Sequence, residues 1–256
     1  MKLIFLGTNG WYSTNESSTI CTLIDTPSRY IVLDAGEGIH HLDKYIKENK
    51  PIDIFLSHFH LDHTFGFHIL PKFRFKNKIR IFSQKGAKKI LDTLVNKPFT
   101  ASFQMLASLG LNIEVRELSN SKNIIDDYVV HTLALVHADP CWGFRFELNT
   151  DSRPKVLSYC TDTGPCENMS TLSKDADILI TECSLLSTDK ISDSWPHMTP
   201  QAAAKIAKDS NVSKLIFTHF VPDKYPTIDS RKSAVFTAKK LFENTICATD
   251  GFSLDF

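Results

Sequence analysis

A layered α/β protein is the fold that this 256-residue sequence predicts, and three features carry the expectation. Short apolar runs rich in β-branched residues recur along the chain. Helical patterns lie between some of them, and chemically distinctive polar residues follow several of them directly. The length suits one α/β domain around a single large core. No repeat, low-complexity tract or Pro/Gly/Ser linker divides the sequence, so residues 1–256 read as a single domain.

The elements follow in chain order. Met1 to Gly7 is apolar but stops after a few residues and has no small-residue cleavage site. Leu3–Leu6 therefore reads as a first strand and not as a signal peptide. Thr19–Ile24, Tyr30–Leu33, Ile52–Leu56, Ile79–Phe82, Tyr128–Val136, Trp142–Leu148, Lys155–Tyr159, Ile178–Thr181 and Leu215–Thr218 read as further strands. Ser83 is placed to cap a helix through about Val95, with Ile90, Leu91, Leu94 and Val95 on one face. Thr199 and Pro200 open a second helix, Gln201–Lys208, because proline at the first helical position gives up an N–H that has no partner there anyway. Five strands are each followed by a polar residue of chemical interest: His58, His137, Asp162, Glu182 and His219. Groups at successive strand ends can converge on one rim of a sheet, where open α/β structures place their sites.

Composition narrows the class. Apolar residues make up 42% and charged residues 23%, which is globular and not disordered, and no apolar run is long enough to span a bilayer. No membrane partner is expected. Six cysteines, at 21, 141, 160, 166, 183 and 247, contain no Cys-x-x-Cys pair and lie mostly in strand-like stretches. Reduced, buried thiols and a cytoplasmic location follow. The net charge is zero, but residues 72–89 carry Lys72, Arg74, Lys76, Lys78, Arg80, Lys85, Lys88 and Lys89 with no acid among them. That stretch is either an anion-binding patch or a solvated edge with one apolar face. Monomer and homodimer both stay open.

The chemistry concentrates in Ser57-His58-Phe59-His60-Leu61-Asp62-His63. Imidazole and carboxylate donors suit Zn²⁺, Mn²⁺ or Fe. His58 and His60 can point the same way along an extended segment, and Asp62 and His63 must then turn toward a second point. The spacing suits two adjacent ions better than one.

This His-x-His-x-Asp-His motif resembles the metallo-β-lactamase superfamily, in its ribonuclease Z and phosphodiesterase branch. The resemblance covers nearly the whole chain. Leu6-Gly7-Thr8 and Leu33-Asp34-Ala35-Gly36-Glu37-Gly38 look like that branch's first landmarks. His137 with Cys141–Phe146, then Ser158–Thr163, Thr181-Glu182-Cys183, His197 and Thr218-His219-Phe220, complete its order. The resemblance implies an αββα four-layer sandwich. It implies His58, His60 and His137 on one metal, Asp62, His63 and His219 on the other, and Asp162 between them. Asp34 would hydrogen-bond the ligand loop, and Glu182 and His197 would protonate the leaving group. Asp62, Glu182 and His197 are the catalytic candidates, and the cofactor is two divalent ions, zinc first, with Mn or Fe open. Two divalent ions bring four positive charges, of which Asp62 and Asp162 would remove two and a bridging hydroxide a third. The remaining one matches a phosphodiester anion.

Two departures shape the substrate expectation. Ribonuclease Z usually carries a long arm between the third-motif histidine and the bridging aspartate, and the twenty-four residues between His137 and Asp162 leave no room for it. Asn9–Thr14 stands where a Pro- and Arg-bearing loop would be. The leading expectation is a metal-dependent phosphodiesterase acting on small or cyclic nucleotides, with RNA kept open by the basic stretch. The alternatives are a tRNA 3′-end processing endonuclease, an iron-dependent oxidoreductase, and a non-catalytic metal-binding module. Diiron members of the fold usually carry Glu where His60 stands, and a non-catalytic module would have lost a ligand. His40, His41, His68 (on a helix after the metal loop) and His131 (mid-strand) are expected to do packing work, and Cys141, Cys160 and Cys183 to be buried fillers.

Overall fold

β-Branched and aromatic side chains fit a pleated, half-buried surface, and runs too short to bury themselves must pair. In the computed structural model, which describes residues 1–256, they pair into two seven-stranded sheets. The chain divides into two compact units. Unit 1 is Met1–Gly7, Ser18–Leu118 and Asp250–Phe256; unit 2 is Thr8–Ser17 and Ser119–Thr249. No helix is long and apolar enough to cross a membrane.

Unit 1 contains β1 (Lys2–Gly7), β2 (Cys21–Asp25), β3 (Tyr30–Leu33), β4 (Ile52–Phe55), β5 (Lys78–Ser83), β6 (Asn112–Glu117) and the last strand, β14 (Ser253–Asp255). Their order is β14-β1-β2-β3-β4-β5-β6, antiparallel as far as β3 and parallel beyond it. Helices α1 (Leu61–Thr64), α2 (Ala87–Leu94) and α3 (Phe103–Ser108) and two 3-10 turns, Glu37–Lys44 and Phe65–Lys72, complete the unit. Its core gathers Leu23, Val32, Ile54, Ile81, Phe67 and Leu91.

Unit 2 contains β7 (Lys122–Ile125), β8 (Tyr128–Ala134), β9 (Trp142–Leu148), β10 (Lys155–Cys160), β11 (Ile178–Glu182), β12 (Leu215–Thr218) and β13 (Thr245–Cys247). The order is β13-β12-β11-β10-β9-β8-β7, parallel from β13 to β10 and antiparallel from there to β7. Helices α4 (Glu167–Ser173), α5 (Pro200–Asp209) and α6 (Ile228–Lys239) belong to it, and its core gathers Met169, Leu179, Met198, Ala203 and Phe217.

The expected strands are all present, most within a residue or two of their expected bounds. The first helix is a correction. β5 runs on through Ser83, whose hydroxyl donates to the Leu56 carbonyl at 3.0 Å, so Ser83 cannot cap. The helix starts at Ala87 instead, after Gly86 at φ +92°, a conformation glycine adopts without strain. The second helix starts as expected, with Thr199 Oγ1 accepting the Ala202 N–H. His68 lies on a 3-10 turn and not an α-helix; Pro71, inside the same segment, has no N–H to close an α-helical bond to Phe67.

Three residues of the basic stretch face acids. Arg80 is buried and, with Arg29, donates to the fully buried Asp53 carboxylate at 2.6–2.8 Å. Lys72 pairs with Asp43 at 2.9 Å and Lys78 with Glu114 at 3.0 Å. Arg116 and then Lys78 hold the Glu114 carboxyl down at about 2. Acids from neighbouring elements thus offset Lys72 and Lys78, while Arg80 is spent on the core.

Candidate metal centre

In unit 1 the parallel register puts Leu33 of β3 opposite Phe55 of β4, so Asp34 and the Ser57–His63 loop leave the sheet at one edge. Asp34 is fully buried at φ +56°, a left-handed conformation that costs an L residue about 1–3 kcal/mol and persists only where the surroundings fix it. Four contacts fix it. Its carboxylate accepts the Ser57 N–H at 2.8 Å and the Ser57 hydroxyl at 2.9–3.0 Å, and lies 2.9 Å from His63 Nδ1. Its own N–H donates to the Phe55 carbonyl at 2.8 Å. The contact with Asp34 sets the His63 proton on Nδ1 and makes Nε2 the ring's lone-pair atom, the arrangement metal-binding histidines use.

His58 is buried, its Nδ1 3.0 Å from the Ser57 hydroxyl, and its ring centroid stands 4.5 Å from that of His60 and 4.1 Å from that of His63. The single turn of α1 brings Asp62 Oδ2 to 3.5 Å from His63 Nε2. That turn is seated against Gly36, where a Cβ would stand 2.2 Å from the Asp62 carbonyl oxygen. All four expected ligands of this unit are therefore gathered, and Asp34 holds the loop as expected.

In unit 2, β10, β11 and β12 run parallel with Cys160 opposite Thr181 and Glu182 opposite Thr218. Asp162, Glu182 and His219 accordingly leave the sheet together. β8 runs the same way as β10, since both are antiparallel to β9, so His137 arrives at the same edge. Ligand atoms of His137, Asp162 and His197 lie within 4.8 Å of one another, and His219 Nε2 is 3.1 Å from Asp162 Oδ2. Asp162 and His219 both adopt left-handed backbones, at φ +51° and +50°. Gly10 abuts the His219 imidazole so closely that a Cβ there would stand 2.3 Å from a ring carbon.

Glu182 is fully buried. It accepts the Thr163 N–H at 2.7 Å and the Met198 N–H at 3.1 Å, and lies 2.8 and 3.1 Å from His197 Nδ1. The carboxylate sets the His197 proton on Nδ1 and leaves Nε2 as the lone-pair atom, and the His137 ring centroid is 5.5 Å from that of His197. The expected Glu182–His197 pair is formed, beside the candidate ligands of this unit and tied to Asp162's own segment through Thr163.

Several functional neighbours escaped sequence reasoning. Ser184 donates to the His219 carbonyl at 3.0 Å. Arg231, almost fully buried, donates to Thr8 Oγ1 at 2.7 Å and Asn9 Oδ1 at 2.6 Å and lies 4.6 Å over the Phe220 ring, bracing the Gly10 loop and the residue after His219. Trp195 stands edge-on to His137. The remaining histidines do other work. The His40 and His41 rings lie tilted against each other with centroids 3.6 Å apart, His68 contacts the Phe65 carbonyl, and His131 pairs with Glu147 at 3.4 Å. All six cysteines are free thiols, four of them buried.

The donor chemistry fits divalent metal. Imidazoles and carboxylates are packed at distances that leave no room for apolar filling, with histidine tautomers set by buried carboxylates. Comparison with known proteins agrees. A family model described as a beta-lactamase superfamily domain matches residues 29–220. A Ribonuclease Z of Exiguobacterium sp. is 26% identical over 307 aligned positions, covering 98% of this chain and 97% of the relative. The metallo-beta-lactamase fold protein YhfI of Bacillus subtilis superposes with a TM-score of 0.79 at 19% identity, covering 99% of each chain. The short form of human tRNase Z does so with a TM-score of 0.74 at 20% identity, covering 100% of this chain and 99% of the other. The two structural likenesses are likenesses of fold, and the fold is that of the metallo-β-lactamases.

Proposed function

We propose that this chain, which belongs to the beta-lactamase superfamily, is a metal-dependent hydrolase that cleaves phosphodiester bonds with two divalent ions. The carrying observation is that each unit presents an imidazole–carboxylate set in which a buried acid fixes a histidine: Asp34 on His63 and Glu182 on His197. His58, His60 and His137 would hold one ion, Asp62, His63 and His219 the other, and Asp162 both. The donor set suits zinc first, and accepts manganese or iron. The proposal makes residues 1–256 one working domain. Neither unit is continuous in sequence.

Bound ions would supply the Lewis acidity that activates water and offsets phosphoryl charge. The chain's own residues do the rest. Glu182, anchored by the Thr163 and Met198 N–H groups, orients His197 so that Nε2 can deliver a proton to the departing oxygen. Ser57 and Asp34 hold His58 and His63 in the tautomers that ligation needs. The left-handed backbones at Asp162 and His219 aim both side chains at the same edge.

A small nucleotide diester is the preferred substrate. β8 ends at Ala134, β9 fills Trp142–Leu148 and β10 begins at Lys155, so a hairpin occupies the interval where a tRNA-gripping arm would insert. The alignment to the Exiguobacterium relative spans 307 positions against 256 residues here, so that protein carries at least 51 residues opposite gaps in this chain (307 − 256). Precursor tRNA is the second reading, favoured by that relative's name and by its coverage of nearly the whole chain. Six free thiols suit a cytoplasmic setting. The test is metal-loaded protein assayed on bis-p-nitrophenyl phosphate, a cyclic nucleotide, a dinucleotide and a tRNA precursor. Turnover of the small diesters with the precursor left intact supports the preferred reading. Cleavage of the precursor alone selects the second, and no turnover of any rejects both.

A further inference from the structure

We propose that Trp195 is a stacking platform for a nucleobase beside the scissile phosphate, so that the substrates are nucleotide-type diesters and not simple alkyl ones. The inference rests on the hydrolytic reading above and narrows it.

The indole is 53% exposed, yet it belongs to the site's immediate surroundings. Its ring centroid is 5.6 Å from that of His137, edge-on, and 6.4 Å from that of His197. Isolated exposed apolar side chains are common and by themselves mean little. What sets this one apart is how firmly its backbone is held. Ser192 Oγ accepts the N–H groups of Ser194 and Trp195, both at 3.2 Å. Pro196 follows, and a residue before proline is confined to extended backbone. Pro196 is itself buried and seated against Gly164, where a Cβ would stand 2.8 Å from the proline ring. Gly164 lies two residues beyond Asp162, and its N–H donates to the Val136 carbonyl at 3.0 Å, one residue before His137. The segment carrying the indole is thus anchored to the same backbone that carries two candidate ligands.

A flat, half-exposed aromatic surface held rigidly one ring away from two site imidazoles is suited to a planar partner attached to the phosphate through a sugar. Stacking tolerates every base, because each has a π-face. The platform therefore selects for the presence of a base and not for its identity. The other two tryptophans are placed differently: Trp142 is buried in β9, and Trp11 lies in the loop beside Gly10.

The test is calorimetric titration of AMP and of ribose 5-phosphate into zinc-loaded wild type, Trp195→Phe and Trp195→Ala, with dinucleotide hydrolysis measured alongside. Alanine should weaken AMP binding about ten- to a hundred-fold, the usual effect of removing one stacking ring, and should weaken ribose 5-phosphate far less. Phenylalanine, which keeps a ring, should restore most of the AMP affinity. Thermal unfolding of the variants checks that the loop change leaves the fold intact. Equal losses on both ligands, or none on AMP, overturn the platform. Trp195-dependent AMP binding by a protein that hydrolyses no diester keeps the platform and rejects the hydrolytic reading. Hydrolysis of the dinucleotide with AMP binding indifferent to Trp195→Ala does the reverse.

Discussion

Replacing His197 by alanine should separate proton delivery from metal binding. The imidazole meets Glu182 through Nδ1 at 2.8 and 3.1 Å, and the buried carboxylate also accepts N–H groups from Thr163 at 2.7 Å and Met198 at 3.1 Å. Those two backbone donors remain in the variant, so Glu182 keeps hydrogen-bond partners and the fold should survive. His137, Asp162 and His219 remain too, so both ions should stay bound. The deficit then falls on the departing oxygen. General acid catalysis contributes about 10²–10⁴-fold, and a ribose leaving group should show that loss in kcat. A p-nitrophenyl leaving group needs little protonation and should show much less. The assay pairs turnover of a ribonucleotide diester and of bis-p-nitrophenyl phosphate with metal content by mass spectrometry. An equal loss on both substrates would refute proton donation and make His197 a phosphate-positioning group. Loss of metal would make it a ligand.

Three further outcomes are expected. Asp34→Asn keeps a residue that tolerates φ +56° while removing the charge that faces His63, so metal affinity should fall about 10–100-fold by chelator competition; unchanged affinity would reduce Asp34 to a loop brace. Asp53→Ala strips the shared carboxylate from Arg29 and Arg80, both nearly buried. Denaturant unfolding should show about 3–5 kcal/mol lost, and a loss under 1 kcal/mol would contradict a buried ion cluster. Burial pushes the Cys160 and Cys183 thiols well up, and Cys166 is partly exposed. Iodoacetamide at mildly alkaline pH should therefore label Cys166 well before Cys160 or Cys183, and early labelling of either buried thiol would show the unit 2 core to be open.

What could be read from sequence follows from how local each signal is. Tyr30–Leu33, Trp142–Leu148 and Leu215–Thr218 are continuous apolar or β-rich runs, and they became strands with the expected bounds. β6 (Asn112–Glu117) was passed over because its only apolar residues, Ile113 and Val115, form no continuous run, although their alternation with Asn112, Glu114 and Arg116 is the period of a half-buried strand; β13 and β14 were hidden because three residues are too few to carry a period. α6 was hidden because its cap pairs Thr227 with Ser230 and not with the expected Glu or Gln, and its apolar residues form no clear stripe. In the site, histidines and carboxylates directly after strands were legible, since a strand end fixes where the next residue points. Arg231 was not, because its partners Thr8 and Asn9 are more than 220 positions away. Trp195 was not, because an aromatic in a polar loop has no pattern until the fold sets it beside His137. Within the basic run, adjacency in sequence did not show that Lys72, Arg80 and Lys78 face Asp43, Asp53 and Glu114 from elsewhere in the chain.

The proposed sharing of two ions through Asp162 is tested most directly by equilibrium zinc titration of wild type and Asp162→Ala, read as ions bound per chain. Two ions per chain in wild type, with both weakened together in the variant, is the expected result. A single ion at saturation, or a variant that binds two ions as tightly as wild type, would contradict it.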